Sequence, residues 1–341
     1  LDTSTGHGGA LSVYGGNDSP DEASDNPWFK LAKAWNNRLA VFHSTFRNNS
    51  AFMGGALFAT GDSSNVNSID TSPEITIVDA SNTRLVSDTF VDCEFLFNKA
   101  ISNGGALSYK HVYGGVAVDS SLFFENIAVG ILVCAHSDDT CAGSGGAINS
   151  IYSPLKLSDS LLEGNGAFST AEFAPRGGAI FAFYDTHGTS DPESTSVNLK
   201  AIDAVGTTFQ FNSACADSNA FGGAVWINGA ASVNACNFFN NSAVSKLFFG
   251  QEGNAGGAIY VHRSGVSTTS GSSEGDVNLS NSKFTQNLVQ YGGFGAAVYA
   301  RGDSIIRIDN VHFTSNFAVS SRSIKSAGGA LALVSGVTAT L

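Results

Sequence analysis

The chain has 341 residues, of which 29 are acidic and 17 basic, so its net charge is −12 and only 13% of its residues are charged. That acidity excludes ordinary nucleic-acid binding, because a phosphate backbone is repelled, and 43% hydrophobic residues with 25 Phe exclude a disordered chain. No run of about 18 apolar residues is present, so nothing predicts a membrane-spanning helix or membrane insertion.

Read in chain order, two short motifs alternate from one end to the other. The first is Gly-Gly-Ala plus an aliphatic residue, at Gly8–Leu11, Gly54–Leu57, Gly104–Leu107, Gly145–Ile148, Gly177–Ile180, Gly222–Val225, Gly256–Ile259 and Gly328–Leu331. A degenerate copy, Gly295-Ala296-Ala297-Val298, fills the remaining gap. The second is an apolar residue with Asn three positions on: Phe46/Asn49, Phe95/Asn98, Phe123/Asn126, Leu162/Asn165, Phe209/Asn212, Phe238/Asn241, Phe284/Asn287 and Phe313/Asn316. Successive Asn positions differ by 49, 28, 39, 47, 29, 46 and 29 residues, so the unit is 28–29 residues and the longer intervals carry loops.

Around the motifs the pattern is of short strands. Ala224–Ile227 and Ala258–Val261 follow glycines, and Val233–Phe239 and Val277–Phe284 precede asparagines, with apolar and small polar residues roughly alternating. Strands at this spacing, with no helical period between them, predict an all-β fold: one coil of a parallel β-helix per repeat, about 8–9 coils, as a single domain over residues 1–341. At ~4.8 Å per coil that makes a rod roughly 40 Å long. The glycines predict a tight corner, Phe is expected to stack on Phe, and the eight Asn are expected to form an inward amide ladder. The first repeat starts at once and the last glycine motif stands close to Leu341, which reads as a section of a longer chain.

The insertions carry the irregular sequence. Asn26-Pro27-Trp28 followed by Phe29–Trp35 predicts one short helix near residues 27–39, with Asn26 as its cap and Trp28, Leu31, Trp35 and Leu39 on one face. That face packs on the rod or, through Trp28 and Trp35, contacts a partner. Cys134 and Cys141 bracket a loop as disulfide candidates, Cys215 and Cys236 form a second candidate pair, and Cys93 is left over. Disulfides would place the chain in an oxidising compartment. Asn-x-Ser/Thr sequons at Asn17, Asn48, Asn240 and Asn278 are glycosylation candidates, with Asn48 and Asn240 expected to point outward because each precedes an inward Asn.

The alternating GGA-aliphatic and FxxN motifs resemble the polymorphic outer membrane protein repeats of chlamydial surface adhesins, with related repeats in surface proteins of other bacteria, protists and algae. The resemblance spans about residues 6–334. It implies a right-handed β-helix, surface exposure, and adhesive or structural work; it brings no membrane barrel within this chain.

The sequence offers little chemistry against that expectation. Gly6-His7-Gly8 and Asp138-Asp139 resemble pieces of polygalacturonase motifs, but in reversed order, and the remaining histidines form no acid–base or metal pattern. Arg301-Gly302-Asp303 stands on a predicted turn. The acidic stretches Asp18–Glu22 and Asp138-Asp139 are compatible with Ca²⁺ in principle but lack any calcium-repeat spacing, so no cofactor and no metal is expected. The expectation is a non-catalytic extracellular or cell-surface rod that associates with itself or with other extracellular proteins or glycans. A filament, appendage or wall layer stands first, an adhesin second, and a polysaccharide lyase or hydrolase third.

Overall fold

The computed structural model describes residues 8–14, 39–60, 88–112, 114–130, 143–170, 174–184, 200–217, 219–245, 253–262, 276–291, 293–302, 304–319, 327–334 and 337–340. Among them lie thirty-four strands, β1 to β34 in chain order, and no helix. The expected helix near residues 27–39 falls outside the described residues, apart from Leu39.

Every fourth strand pairs in parallel with the one before it, giving sheets 1 and 2 of nine strands and sheets 3 and 4 of eight. The first coil is β1 (Leu11–Tyr14), β2 (Ala40–Phe42), β3 (Thr45–Arg47) and β4 (Ser50–Ala51). The sixth is β21 (Val225–Asn228), β22 (Ala231–Asn234), β23 (Asn237–Phe239) and β24 (Ser242–Ser245). Eight coils are complete, and β33 (Leu331–Val334) with β34 (Thr338–Thr340) begins a ninth. This is the parallel β-helix that the motif spacing predicts.

The repeat motifs map onto fixed places in the coil. The aliphatic residue after Gly-Gly-Ala opens each sheet 1 strand, and Leu57, Leu107, Ile148, Ile180, Val225, Ile259 and Val298 form one fully buried column. Sheet 3 contributes a single inward residue per strand, the Phe of the second motif. Its rings stack face to face along the rod, 4.6 Å apart for Phe95 on Phe123, 4.7 Å for Phe209 on Phe238 and 4.6 Å for Phe238 on Phe284. Leu162 interrupts this column once and is equally buried. A buried Phe contributes about 2–3 kcal/mol relative to an exposed one, so the column is a large share of the core.

The two glycines of the first motif do different jobs. Gly177 has φ +66°, a left-handed corner that a side chain resists. Gly178 needs no special φ, but a Cβ there would lie 2.0 Å from Gly223 O on the next coil and 2.5 Å from the backbone of Ser213. The second glycine is therefore a close-approach residue, where sheet 1 meets the start of sheet 4 backbone to backbone. Sheet 4 answers with the smallest inward column, Ala100, Ala128, Ala167, Ala214 and Ala243.

The asparagines close the corner between sheets 3 and 4. Asn212 is fully buried, and its backbone N–H and Nδ2 both donate to Oδ1 of Asn241, at 3.1 and 3.0 Å. Its second Nδ2 hydrogen goes to the carbonyl of Leu162 in the preceding coil, at 2.9 Å. Its own Oδ1 accepts from the N–H and Nδ2 of Asn165, both at 3.0 Å. All four side-chain hydrogen-bonding positions are thus filled, and the pattern repeats from Asn49 through Asn98, Asn126, Asn165, Asn212, Asn241 and Asn287 to Asn316. Asn49 and Asn316, in the terminal coils, are only part-buried.

Replacing Asn212 with Leu should lower the urea midpoint by the equivalent of about 3 kcal/mol, because it strands buried N–H groups of Asn165 and removes the two Nδ2 donors that reach Leu162 O and Asn241 Oδ1. Gly178→Ala should cost at least as much, since backbone must move. Asn48→Gly, at an exposed left-handed position, should change stability by less than about 1 kcal/mol. A near-neutral Asn212→Leu would show that the ladder does not hold the corner.

Candidate functional site

In a rod with a repetitive interior, individual chemistry has to sit at the corners and on the outer faces. The corner between sheets 2 and 3 carries a second ladder that the sequence alone does not announce. Its inward positions are Ser44, Cys93, Ser121, Ser160, Thr207, Cys236, Ser282 and Val311, each following a residue with positive φ. The hydroxyl of Ser121 donates to Asp119 O at 2.8 Å and accepts the N–H of Cys93 at 3.0 Å; Ser160 does the same for Asp119's coil neighbour, accepting Ser121 N–H at 3.1 Å.

Cys93 and Cys236 are members of this column. The Cys236 thiol, 2% exposed, donates to Ala204 O and Asn234 O at 3.5 and 3.3 Å, while its N–H donates to Ser282 Oγ. A thiol here replaces a hydroxyl of similar shape with a weaker donor. The expected Cys215–Cys236 disulfide is therefore not formed: Cys236 is a free thiol on the sheet 2–3 corner, whereas Cys215 lies on the outward face of sheet 4, between Phe168 and Val244. Cys93 is likewise a buried free thiol. Cys134 and Cys141 lie outside the described residues.

Burial pushes the Cys236 thiol up to about 11, with Asp203 and Asp159 adding to the rise and two backbone hydrogen bonds opposing it. Burial and then the Asp88 carboxylate push the fully enclosed Tyr109 phenol well up, so it stays neutral. His111 is lowered by burial and by Lys110, and stacks on Tyr152 at 5.0 Å.

These groups are dispersed. His43 faces Asp92 at 3.4 Å on the exposed sheet 2–3 corner of the first coils, and Arg307 pairs with the buried Asp276 on sheet 2 near the other end. Among the described residues no three His, Cys, Asp or Glu side chains come together as a metal site. No described helix is long and apolar enough to cross a membrane. His7, Asp138, Asp139, the Asp18–Glu22 stretch and Asp303 lie outside the described residues.

The outer face of sheet 1 is aromatic over coils five to eight. Phe181, Trp226, Tyr260 and Tyr299 follow one another in register, with ring centroids 4.6, 6.3 and 5.0 Å apart and nearly parallel planes. The guanidinium of Arg176 sits 5.2 Å from the Trp226 ring. This column is 3–8% exposed, so it forms a second apolar layer rather than an open platform.

The outer corner between sheets 3 and 4 is open. Its left-handed column reads Asn48, Phe97, Glu125, Gly164, Phe211, Asn240, Gln286 and Ser315, with φ of 49–65°. Asn48 and Asn240 are exposed, as their place before a ladder Asn predicts. Asn278 is different: it is half-buried within β26 (Asp276–Ser280), between Ser232 and Arg307. Asn17, Trp28 and Trp35 lie outside the described residues. Phe97 and Phe211, which sequence reading did not single out, are 37% and 46% exposed; their only signal was a bulky residue directly before a ladder Asn.

With this geometry in place, the comparison with known families is specific. Residues 235–262 match the model of the Chlamydia polymorphic membrane protein repeat, a stretch running from the Cys236 corner through Phe238 and Asn241 to the Gly256-Gly257-Ala258-Ile259 strand. The matched stretch holds three of a coil's four strands, β23, β24 and β25 (Ile259–His262), one each from sheets 3, 4 and 1. No curated protein and no solved structure matches the chain.

The raised thiol of Cys236 fixes a pH dependence. In the unfolded chain the thiol ionises near 9, in the folded one near 11, so its contribution is fully present below pH 9 and is lost as pH rises to 11, by at most about 3 kcal/mol. Cys236→Ser, which restores the residue found in four other coils' corners, should fold normally and lack this loss when urea midpoints are compared between pH 8.5 and 10.5.

Proposed function

We propose that the chain is a non-catalytic rod at the cell surface, a structural unit of an extracellular filament, appendage or wall layer. The observation that carries this reading is the run of the same inward columns through eight coils. Aliphatic and Asn positions recur at the same place in each coil, and Phe and Ala give way once each, to Leu162 and Val289, so the chain invests its side-chain chemistry in a rod of constant section. The dispersed acids and bases support a non-catalytic role. The match to a repeat described as belonging to Chlamydia polymorphic membrane proteins supports surface location.

The ladder also gives the rod chemical direction. Among the described residues, Oδ1 of Asn49 accepts no hydrogen bond at one end of the ladder, and the N–H and second Nδ2 hydrogen of Asn316 reach no acceptor at the other. Phe42 at the first end and Phe317, Val319, Leu333 and Val334 at the other are among the exposed large apolar residues. A further coil in the same register, supplied by chain beyond these residues or by another rod, would satisfy both ends. In the assembly reading the partners are copies of the rod.

Adhesion is the second reading, favoured by the same repeat match and by the open aromatic corner that holds Phe97 and Phe211. Its partners would be proteins or glycans of a host or neighbouring cell. Neither reading needs a cofactor.

Electron microscopy of native material isolated without denaturation separates the two. Filaments with a fixed axial period are the expected result. Isolated rods on a cell surface would replace assembly with adhesion. Turnover of pectin-like or alginate-like polymers by the purified protein would overturn the non-catalytic reading.

A further inference from the structure

We propose that Asn48 and Asn240 carry N-linked glycans, and that the first sugar of each lies against an exposed phenylalanine on the adjacent coil, Phe97 for Asn48 and Phe211 for Asn240. The proposal rests on the extracytoplasmic location argued above, in a source cell that N-glycosylates its secreted chains.

Register places each pair side by side. Arg47 pairs with Leu96 and Asn49 bonds to Asn98, so Asn48 stands next to Phe97. Gln210 pairs with Phe239 and Asn212 bonds to Asn241, so Phe211 stands next to Asn240. Neighbouring coils are ~4.8 Å apart, which is the reach of a sugar ring attached to one residue and resting on the other. The side chains of Asn48 and Asn240 are exposed and no described residue hydrogen-bonds to them, so each Nδ2 is accessible.

Phe97 carries the guanidinium of Arg47 5.7 Å from its ring centre, so a sugar on Asn48 would share that ring with Arg47; Phe211 is otherwise hard to explain. Both have left-handed backbones, φ 56° and 57°, where a bulky side chain is disfavoured and Gly or Asn is preferred. Both expose a large apolar ring. Each is braced edge-on at 5.4 Å by another aromatic ring, Phe97 by Phe124 and Phe211 by Phe239. The other members of this corner column are Glu125, Gly164, Gln286 and Ser315, all polar or Gly. Within the column, each Phe therefore adjoins a sequon and each sequon adjoins a Phe. The face of an N-acetylglucosamine ring carries axial C–H groups that pack on an aromatic face, which would cover the exposed rings.

The chemistry balances with one co-reactant, an oligosaccharide carried on a polyprenyl diphosphate. The Asn Nδ2 forms a bond to sugar C1, the C1–oxygen bond to the diphosphate breaks, and one amide proton leaves. The intervening residues of the two sequons, Asn49 and Asn241, are ladder members, and the acceptors Ser50 and Ser242 begin sheet 4 strands. Nδ2 of Asn48 and Asn240 keeps no role inside the rod that the modification would disturb.

The test uses residues 1–341 secreted from a eukaryotic cell behind a signal peptide. Enzymatic removal of N-glycans in heavy-oxygen water marks each formerly occupied Asn as a labelled Asp, read by peptide mass spectrometry. Label at both Asn48 and Asn240 is expected; an unlabelled Asn48 and Asn240 in folded, secreted protein overturns the proposal. Deglycosylation should lower Tm by about 2 °C or more, the scale of a weak but real contact in a domain of this size. The same treatment of a Phe97→Ser, Phe211→Ser variant should lower it by much less; Ser is tolerated there because Ser315 holds the same position. An equal drop in that variant would show that the sugars do not rest on the rings. Immunogold labelling of native cells is read separately: glycans on the secreted chain with native protein inside the cell would sink the surface reading and leave the site assignment standing.

Discussion

A β-helix must turn its chain several times per coil, and each turn leaves backbone groups without a strand partner. In this molecule the most demanding turn is the two-residue corner between sheets 3 and 4, and the amide of one buried asparagine per coil resolves it. The side chain's oxygen accepts the backbone N–H and the amide N–H of the preceding coil's Asn, while its nitrogen reaches both the next Asn and a carbonyl of the preceding coil. No other residue type fits. Aspartate lacks the donors and would stack like charges ~5 Å apart in a buried column, and serine has one hydrogen to give where two are needed.

That constraint decides where the chain can vary. The corners between sheets 2 and 3 and between sheets 3 and 4 are two residues long in every complete coil, because both carry side-chain ladders that an insertion would break. The long insertions fall elsewhere, between the sheet 1 and sheet 2 strands (15–38, 61–87, 185–199, 263–275) or before the glycine pair (131–142, 246–252, 320–326). Coil length therefore ranges from 28 to 49 residues, by Asn-to-Asn separation, without any shift in the register of the sheets. The glycine edge imposes a different limit, a backbone-to-backbone approach that keeps the facing column small, Ala in all coils but the seventh, where it is Val289.

What the sequence disclosed follows from how uniquely each position selects its residue. Asn, Phe and Gly-Gly-Ala were legible because one residue type satisfies each site and recurs at every coil. The serine ladder was not, because Ser, Thr and Cys all serve and Ser is abundant throughout the chain. Cys236 consequently suggested a disulfide with Cys215, though its column shows it to be a substitute for serine. The buried outer face of sheet 1 was also hidden: Phe181, Trp226, Tyr260 and Tyr299 alternate with inward aliphatics in strands that lack a polar side, and such strands give no period. Outward placement of Asn48 and Asn240 was legible, since it follows from the Asn beside each.

The same logic explains why residue identity varies so widely on the outer sheet 3–4 corner. The residue before each ladder Asn is held in a left-handed conformation that costs a non-glycine residue about 1 kcal/mol or more, and the ladder next to it fixes that conformation whatever the side chain. Identity there is free of the core, which is why the column passes from Asn through Phe, Glu and Gly to Gln and Ser. Coils stack at a constant spacing, so residues far apart in sequence, such as Asn48 and Phe97, become neighbours with fixed separation. A repeat that determines its interior so completely leaves this strip as a place where side chains can be chosen for what lies outside the rod.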